Sequence, residues 1–370
     1  MDEQLSPEQS QLRDSAARLC RDFGGAKRAR ALRDRGEEFD TEAWRAMRAA
    51  GWLGTLVSEE RGGAGLGTTE LYVLLEQIGR HIAMVPLLEA SAACWALGHA
   101  ASDRTAAALR SALAGERLVV PALQADGWDF RMPAALRGEP KGNALIARGE
   151  ISGVAFAQSA EEFLVRIEAG SEALLCLLPR DHRGVEISVT RAVDGSSAGR
   201  LVCDEAAIDD AHIVARGHEA KRLAAGMADL LALGASTELL GLSETALAMT
   251  LEHIKTRQQF GHPLGSFQAL QHRVVDDFVA LELDRSLLHR ICLAWDAGAA
   301  QPALIAAAKA RASRTAAEIM RTALQLHGAI GYTDEHDIGI YFKRALVLAA
   351  RYGNEFAQAE HFARLTMAET

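Results

Sequence analysis

The sequence has no excess of positive charge and no long apolar run. It contains 40 lysines and arginines against 49 aspartates and glutamates, which gives a formal charge of −9. This balance argues against a nucleic-acid or anionic-membrane partner, because phosphate-rich surfaces attract basic proteins. No apolar run approaches the roughly 20 residues that span a bilayer. Residues 1–7 have neither a basic nor an apolar segment. We therefore expect no secretory signal and a cytoplasmic protein.

Cysteine is also scarce, and its spacing excludes the common metal motifs. The five cysteines are scattered along the chain and form no paired metal-ligand pattern: Cys20, Cys94, Cys176, Cys203 and Cys292. We interpret them as buried thiols of a reduced compartment and expect no metal site.

The hydrophobic pattern divides the chain into three parts. Residues 1–117 repeat apolar side chains at helical spacing, which predicts a helical region. Residues 118–215 contain short apolar or alternating runs bounded by Gly, Pro, Asp and Ser. This pattern predicts five or more strands in a small antiparallel barrel or sandwich. Residues 216–370 are alanine-rich and again helical.

One stretch of 15 residues lies between two strongly helical segments, predicted over about 228–256 and 267–297. It reads Arg257-Gln-Gln-Phe-Gly-His-Pro-Leu-Gly-Ser-Phe-Gln-Ala-Leu-Gln271. Its glycines and proline break the helical pattern, and Ser266 is a candidate N-cap for the second helix. An arginine, two amides and an aromatic ring at one turn would suit a phosphate-bearing cofactor with a flat ring.

A second stretch follows at Gln325-Leu-His-Gly-Ala-Ile-Gly-Tyr-Thr-Asp-Glu-His336. Together the two stretches resemble the signatures of the acyl-CoA dehydrogenase family, R-x-[QT]-F-G and Q-x-H-G-G-x-G-Y-T-x-E, in the same order. Ala329 stands where the family usually has a second glycine, which would be costly if that position needed a positive φ. We interpret His327 and His336 as loop or interface residues and not as catalytic bases.

The resemblance covers the whole chain and implies the family's α+β fold. That fold has an N-terminal helical domain, here residues 1–117, and a middle β-barrel or sandwich, here residues 118–215. A C-terminal four-helix bundle, here residues 216–370, completes it. The resemblance also implies FAD as the cofactor.

In the family, the two signature stretches reach across a dimer interface to the pyrophosphate and adenosine end of the neighbouring subunit's flavin. The resemblance assigns that role here to seven residues: Arg257, Gln259, Phe260, Gln268, Gln325, Gly328 and Ala329.

The family's own flavin cradle is missing from this sequence. Its T-E-x-x-x-G-S segment corresponds to Leu123-Gln-Ala-Asp-Gly-Trp-Asp-Phe130, and its W-x-T-N segment corresponds to Gly153-Val-Ala-Phe-Ala157. The first has no threonine and no Gly-Ser pair, and the second is apolar. Each polar flavin atom buried without a partner would cost about 1–3 kcal/mol. We therefore predict that this chain does not hold a flavin ring in its own β-domain.

The family's catalytic glutamate is missing as well. Tyr352 occupies its usual position near the C-terminus, and Leu231 occupies the position used by a minority of the family. A phenol, which titrates near pH 10, is a poor base for an α-proton at neutral pH. Asp229 and Glu355 are near these positions in the sequence, and we consider either a weak candidate base. The sequence thus predicts no catalytic residue in this chain.

These features favour a subunit that completes the flavin site of a catalytic paralogue. The arrangement resembles the heterotetrameric (α2β2) acyl-CoA dehydrogenases of actinobacterial sterol side-chain degradation. The implied substrate is an acyl-CoA thioester, including a steroid side-chain CoA ester, bound mainly by the partner. Two alternatives stay open. The chain could be a self-sufficient homo-oligomeric dehydrogenase with an unorthodox base, or a flavin-free scaffold of the same fold.

Overall fold

The structure is a computed structural model, and it describes residues 5–100, 105–123, 136–141 and 144–367. Residues 1–4, in the N-terminal segment where no secretory signal is expected, therefore lie outside the described residues. The N-terminal region of the described chain folds into α-helices linked by short turns. They are α1 (Pro7–Phe23), α2 (Ala26–Arg35), α3 (Thr41–Ala49), α4 (Thr68–Arg80), α5 (Leu87–His99) and α6 (Thr105–Leu113).

The middle region forms one mixed sheet. Its strands are β1 (Val119–Ala122), β2 (Leu136–Lys141), β3 (Ala144–Ala155), β4 (Glu162–Ala169), β5 (Glu172–Pro179), β6 (Val185–Arg191), β7 (Ser197–Ile208) and β8 (Ile213–Arg216). The strand order is β6-β7-β3-β2-β4-β5-β8, and β1 pairs with β4. The expected all-antiparallel pairing is wrong at two places, because β4 runs parallel to both β1 and β2. Strand β3 reverses the chain and β4 reverses it again, so β4 returns in the direction of β2.

The C-terminal region is again helical. Its elements are α7 (Gly217–Thr256), the two-residue strands β9 (Gln258–Gln259) and β10 (His262–Pro263), α8 (Gln268–Asp296), α9 (Pro302–His327), α10 (Ile338–Ala350) and α11 (Glu355–Met367). Helices, then a sheet, then helices confirm the predicted fold class. The prediction that Ser266 caps the second helix is wrong. Its hydroxyl donates to the Pro263 carbonyl at 2.7 Å and does not accept from a backbone N–H of α8. A 3-10 turn, Leu264–Ser266, separates it from α8, and Phe267 takes the cap position.

Helix α7 runs through the centre of the protein. By length and composition it is apolar enough to cross a membrane. This differs from the expectation that no apolar run in the sequence approaches that length. However, 78% of its apolar window is buried inside the protein, so packing against other elements accounts for that composition. It is the one such helix found among the described residues.

Two hydrophobic clusters share helix α7. One joins the N-terminal helices, the sheet and Leu231, and the other joins the C-terminal helices and Leu233. All five cysteines are buried, as expected. Because side chains of different regions mix in both clusters, the domain boundaries after residues 117 and 215 stay predictions.

Candidate functional site

Four segments that carry candidate flavin-binding or catalytic positions meet at one small cavity. Its walls are residues 121–123 at the end of β1, residues 152–155 at the end of β3, Leu231 of α7, and Tyr352. The structure therefore brings the two glutamate positions of the family together. The cavity encloses only about 10 Å³, roughly the space that one water molecule needs. Neither a tricyclic ring nor an acyl thioester has room there.

Leu231 fills its side of the cavity with hydrocarbon. It is 2% exposed, and its neighbours Leu230 and Ala232 are buried as well. This wall has no proton acceptor, so the position used by a minority of the family cannot supply a base here.

Tyr352 lies in a tight turn between α10 and α11 that other residues hold in place. Its φ is 57°, a left-handed value that non-glycine residues adopt rarely, and Gly353 follows with φ 87°. Buried Lys309 donates to the carbonyls of Ala349 and Gly353 at 3.1 and 2.9 Å. Gln358 donates to the Tyr352 carbonyl at 2.7 Å. These bonds offset the backbone strain, which is of order 1–3 kcal/mol.

The Tyr352 hydroxyl donates a short hydrogen bond to the carboxylate of Glu89, a buried residue of α5. Burial, and then the charge of Glu89, raise the pKa of Tyr352 well above its ordinary value. A phenol with a raised pKa keeps its proton at neutral pH. Tyr352 therefore serves as a hydrogen-bond donor and cannot act as the base that takes an α-proton.

The two weak candidates for an alternative base lie elsewhere. Burial raises the pKa of Asp229 to about 7, a value suited to proton transfer, but Asp229 is not among the residues that line the cavity. Glu355 begins α11 and lines a separate surface groove between α8, α9 and α11. Among the described residues, the structure therefore places neither carboxylate beside Tyr352 and Leu231.

A buried ionic cluster lies close to this turn, and sequence reasoning missed it. Arg344 of α10 is 4% exposed and donates to Asp194 and Glu238, both at 3.1 Å. These partners are 150 and 106 residues away in the sequence. Burial raises the pKa of Glu238 to about 7, and Arg344 opposes that rise. The only sequence signal was a charged residue on the apolar face of a helix.

The first signature stretch forms an exposed tip at the end of α7. Arg257, Gln259, Phe260 and Gln268 are all exposed. Phe260 is 87% exposed and has φ 55°, and Gly261 follows with φ 79°. These two residues make the turn between β9 and β10. A large apolar side chain fully in water at a strained position is typical of a binding surface.

The second stretch ends helix α9. Gln325 is exposed on its last turn, and Gly328 is the C-cap with φ 66° and ψ −144°. Ala329 is not in the left-handed region. The cost considered above for an alanine at this position therefore does not arise. A 3-10 turn, Gly328–Tyr332, carries the chain onward and leaves Ala329 exposed.

Stacked histidines bring the two stretches together. His253, one turn before Arg257, stacks on His327 with ring centroids 4.3 Å apart. His327 in turn contacts His336 at 4.6 Å. Its Nδ1 lies 2.7 Å from the Ala323 carbonyl. His336 lies in a loop, as predicted, whereas His327 is the buried last residue of α9. The stack of His253 on His327 links the end of α7, which carries the Arg257 tip, to the end of α9, which carries the 328–332 turn.

Comparison with known proteins supports the resemblance seen in the sequence. Residues 6–116 match the acyl-CoA dehydrogenase N-terminal domain, and residues 223–366 match the acyl-CoA dehydrogenase C-terminal domain. The chain belongs to the acyl-CoA dehydrogenase family. Acyl-CoA dehydrogenase FadE27 of Mycobacterium tuberculosis is 30% identical over 344 residues, which cover 90% of each chain. Acyl-CoA dehydrogenase IpdE2 of the same organism is 30% identical over 92% of this chain and 91% of its own.

Solved acyl-CoA dehydrogenase assemblies share the fold over the full length. The ChsE4-ChsE5 complex from Mycobacterium tuberculosis contains a chain that superposes with TM-score 0.90 at 26% identity, covering 100% of both chains. A steroid acyl-CoA dehydrogenase, Tcur3481-Tcur3483 (G363A variant), gives TM-score 0.88 at 27% identity over 98% of both chains. Membership of this family supports an oxidoreductase and FAD as the cofactor.

The cavity lined by Leu231 and Tyr352 does not fit a flavin ring. Residues 124–130 of the first cradle segment lie outside the described residues. In the second segment Phe156 is buried with φ 55°, and its neighbours are apolar. Next to it, the Ser152 hydroxyl donates to Glu150 at 3.2 Å. The cavity therefore has neither the volume nor the free hydroxyl groups for an isoalloxazine ring.

We predict that Tyr352→Phe destabilises the protein by about 1–3 kcal/mol, because buried Glu89 loses a donor. Urea denaturation of the chain alone would measure this. Glu89→Gln in the Tyr352→Phe background should recover part of the loss, since a neutral amide is less costly to bury than an unpaired charge. An unchanged free energy of unfolding in Tyr352→Phe would contradict the proposed bond.

We also predict that acid weakens the histidine stack. Burial lowers the pKa of His327 and of His253 below their usual value. The unfolded chain then binds protons near pH 6.5 while the folded chain does not, so stability falls as pH drops from about 7 toward 5. Each pKa unit is worth about 1.4 kcal/mol. His327→Gln should flatten the urea-midpoint profile over this range, whereas His218→Gln, at an exposed site, should leave it unchanged.

Proposed function

We propose that this chain is the non-catalytic subunit of an FAD-dependent acyl-CoA dehydrogenase assembled from two unlike chains. It completes the flavin site of a catalytic paralogue and has no working site of its own. The contrast between two places in the fold carries this proposal. The cavity shared by Leu231 and Tyr352 holds about 10 Å³, while Arg257, Gln259 and Phe260 at the tip are exposed.

The chemistry of the tip supports this role. The Arg257 guanidinium can pair with a pyrophosphate, and the amides of Gln259 and Gln325 can bond to ribose or adenine edges. Exposed apolar side chains surround these groups, with Phe260 87%, Tyr332 75% and Ile330 44% exposed. Such a mixture of cation, amide and apolar surface fits the adenosine end of FAD.

The similar solved structures support a hetero-oligomer. One is described as a complex of ChsE4 and ChsE5, and another as a steroid acyl-CoA dehydrogenase of Tcur3481 and Tcur3483. By extension, we infer an α2β2 assembly for this chain, located in the cytoplasm. We infer an acyl-CoA substrate with a bulky, steroid-like acyl group.

The two subunits divide the reaction. Bound FAD would supply the acceptor for the hydride that leaves the β-carbon of the acyl-CoA. The catalytic paralogue supplies the flavin cradle, the carboxylate that takes the α-proton, and most of the substrate pocket. This chain contributes Arg257, Gln259, Phe260, Gln268, Gln325, Gly328 and Ala329 to the far end of the cofactor. It carries no chemical step, because Tyr352 keeps its proton.

The visible spectrum of the purified protein tests the proposal. We expect no flavin band for the chain alone and about one FAD per pair of chains when it is co-expressed with its catalytic paralogue. A full flavin band in the chain alone that bleaches with an acyl-CoA would support the self-sufficient enzyme instead. No flavin in the co-expressed complex would support a scaffold.

Arg257→Ala should loosen FAD in the complex by roughly 10- to 150-fold, since a hydrogen bond to a charged group is worth about 1.5–3 kcal/mol. Dilution of the yellow complex, followed by flavin fluorescence, would measure the release. Arg290→Ala is the matched control, because Arg290 is an exposed arginine toward the other end of α8. Equal FAD retention in both variants would refute the role of the tip.

A further inference from the structure

Ion pairs join the segment that follows the 328–332 turn to the N-terminal helix α2. The two terminal nitrogens of Arg33 donate hydrogen bonds to the carboxylate of Asp334, at 2.9 and 2.6 Å. Three residues along the chain, Asp337 accepts from Arg30 at 2.7 Å. On the other side, Lys343 of α10 approaches Asp334 at 3.3 Å. Two arginines of one helix therefore hold two aspartates of a single five-residue loop.

Arg33 also contacts the sheet region. A Cβ built on Gly195, in the turn between β6 and β7, would lie 2.9 Å from the Cβ and Cγ of Arg33. Because Gly195 has φ 90°, its conformation also favours glycine. Arg191 donates to the backbone carbonyls of Arg33, at 3.4 Å, and of Gly36. The side chain of Arg33 thus packs between the sheet region and the C-terminal loop.

Local bonds close the 328–332 turn but do not anchor it to another region. The Thr333 backbone N–H and hydroxyl both donate to the Ile330 carbonyl, at 3.1 and 2.8 Å. The His327–His336 contact links the loop to helix α9. The arginines of α2 add the connection to the N-terminal region. The pKa of Asp334 lies well below its ordinary value because Arg33 bonds to it, so the carboxylate is charged at neutral pH.

We propose that Arg33 is a positioning residue for the partner's flavin: by holding Asp334 it fixes the Gly328–Tyr332 turn against the Arg257 tip. This inference rests on the proposed function. It extends the flavin-completing surface from the C-terminal helices to α2, which does not contact the cofactor. Loss of the pair should leave the fold intact and let the turn move.

Hydrogen exchange of the chain alone tests the first step. Arg33→Met should speed amide exchange in peptides covering residues 328–337 by about two- to fivefold, the range expected for one exposed ion pair. Arg35→Met is the matched control, because Arg35 of the same helix pairs with Glu37 at 2.8 Å and not with this loop. Equal exchange in the two variants would overturn the proposal.

FAD release from the co-expressed complex tests the second step. Arg33→Met should release FAD two- to fivefold faster than Arg35→Met at low salt. The difference should shrink at 1 M salt, where screening weakens the native pair. Arg33→Lys, which keeps a cation beside Asp334, should retain FAD better than Arg33→Met. Equal release from these two variants would count against the proposal.

The Arg257→Ala variant in the same assay distinguishes the positioning role of Arg33 from the proposed function of the chain. If Arg257→Ala and Arg33→Met both release FAD faster, the positioning role is supported. If Arg257→Ala releases FAD and Arg33→Met does not, the positioning role is wrong and the proposed function stands. If neither variant releases FAD, both are wrong, whatever the hydrogen exchange shows.

Discussion

The burial of charge between the sheet and the two helical regions is the constraint on which the site depends. Arg344 of α10 is almost fully buried and holds Asp194 of the sheet region and Glu238 of α7. Removing an ion from water costs several kcal/mol, and the cost is offset only when its partners are in place. Helix α10 is therefore fixed against both other elements. The turn that follows α10 carries Tyr352, so this cluster also sets the position of Tyr352 in the cavity.

The proposal that this chain lacks a catalytic site rests on packing as much as on the missing glutamates. Tyr352 comes from the turn after α10, Leu231 from α7, and the remaining walls from two strands. A carboxylate introduced at position 352 or 231 would enter a cavity of about 10 Å³, beside the buried carboxylate of Glu89. Burial and a like charge would both raise its pKa. Restoring the glutamate alone would therefore not create room for a flavin ring in this cavity.

Much of the fold and of the candidate site could be predicted from the sequence. The features that could not be predicted have physical causes. The helix–strand–helix order follows from periodicity, and the Arg257 tip follows from the glycines and the proline that break the helical pattern. The parallel pairing of β4 was missed, because strand direction depends on chain reversals that composition does not record. Glu89 and Arg344 were missed because their partners are distant in sequence. Ser266 was wrong as a cap, because a 3-10 turn intervenes.

The strained backbone turns at Tyr352 and Phe260 are stabilised in different ways. Tyr352 and Phe260 both adopt left-handed conformations that cost non-glycine residues about 1–3 kcal/mol. At Tyr352 the chain offsets that cost with bonds from Gln358 and Glu89, and Lys309 holds the next residue. At Phe260 the ring is 87% exposed, and its one aromatic neighbour, Phe267, lies 6.3 Å away edge-on. The Tyr352 turn is therefore stabilised by residues of its own chain, whereas in the proposed assembly the Phe260 turn would gain contacts from the partner and its flavin.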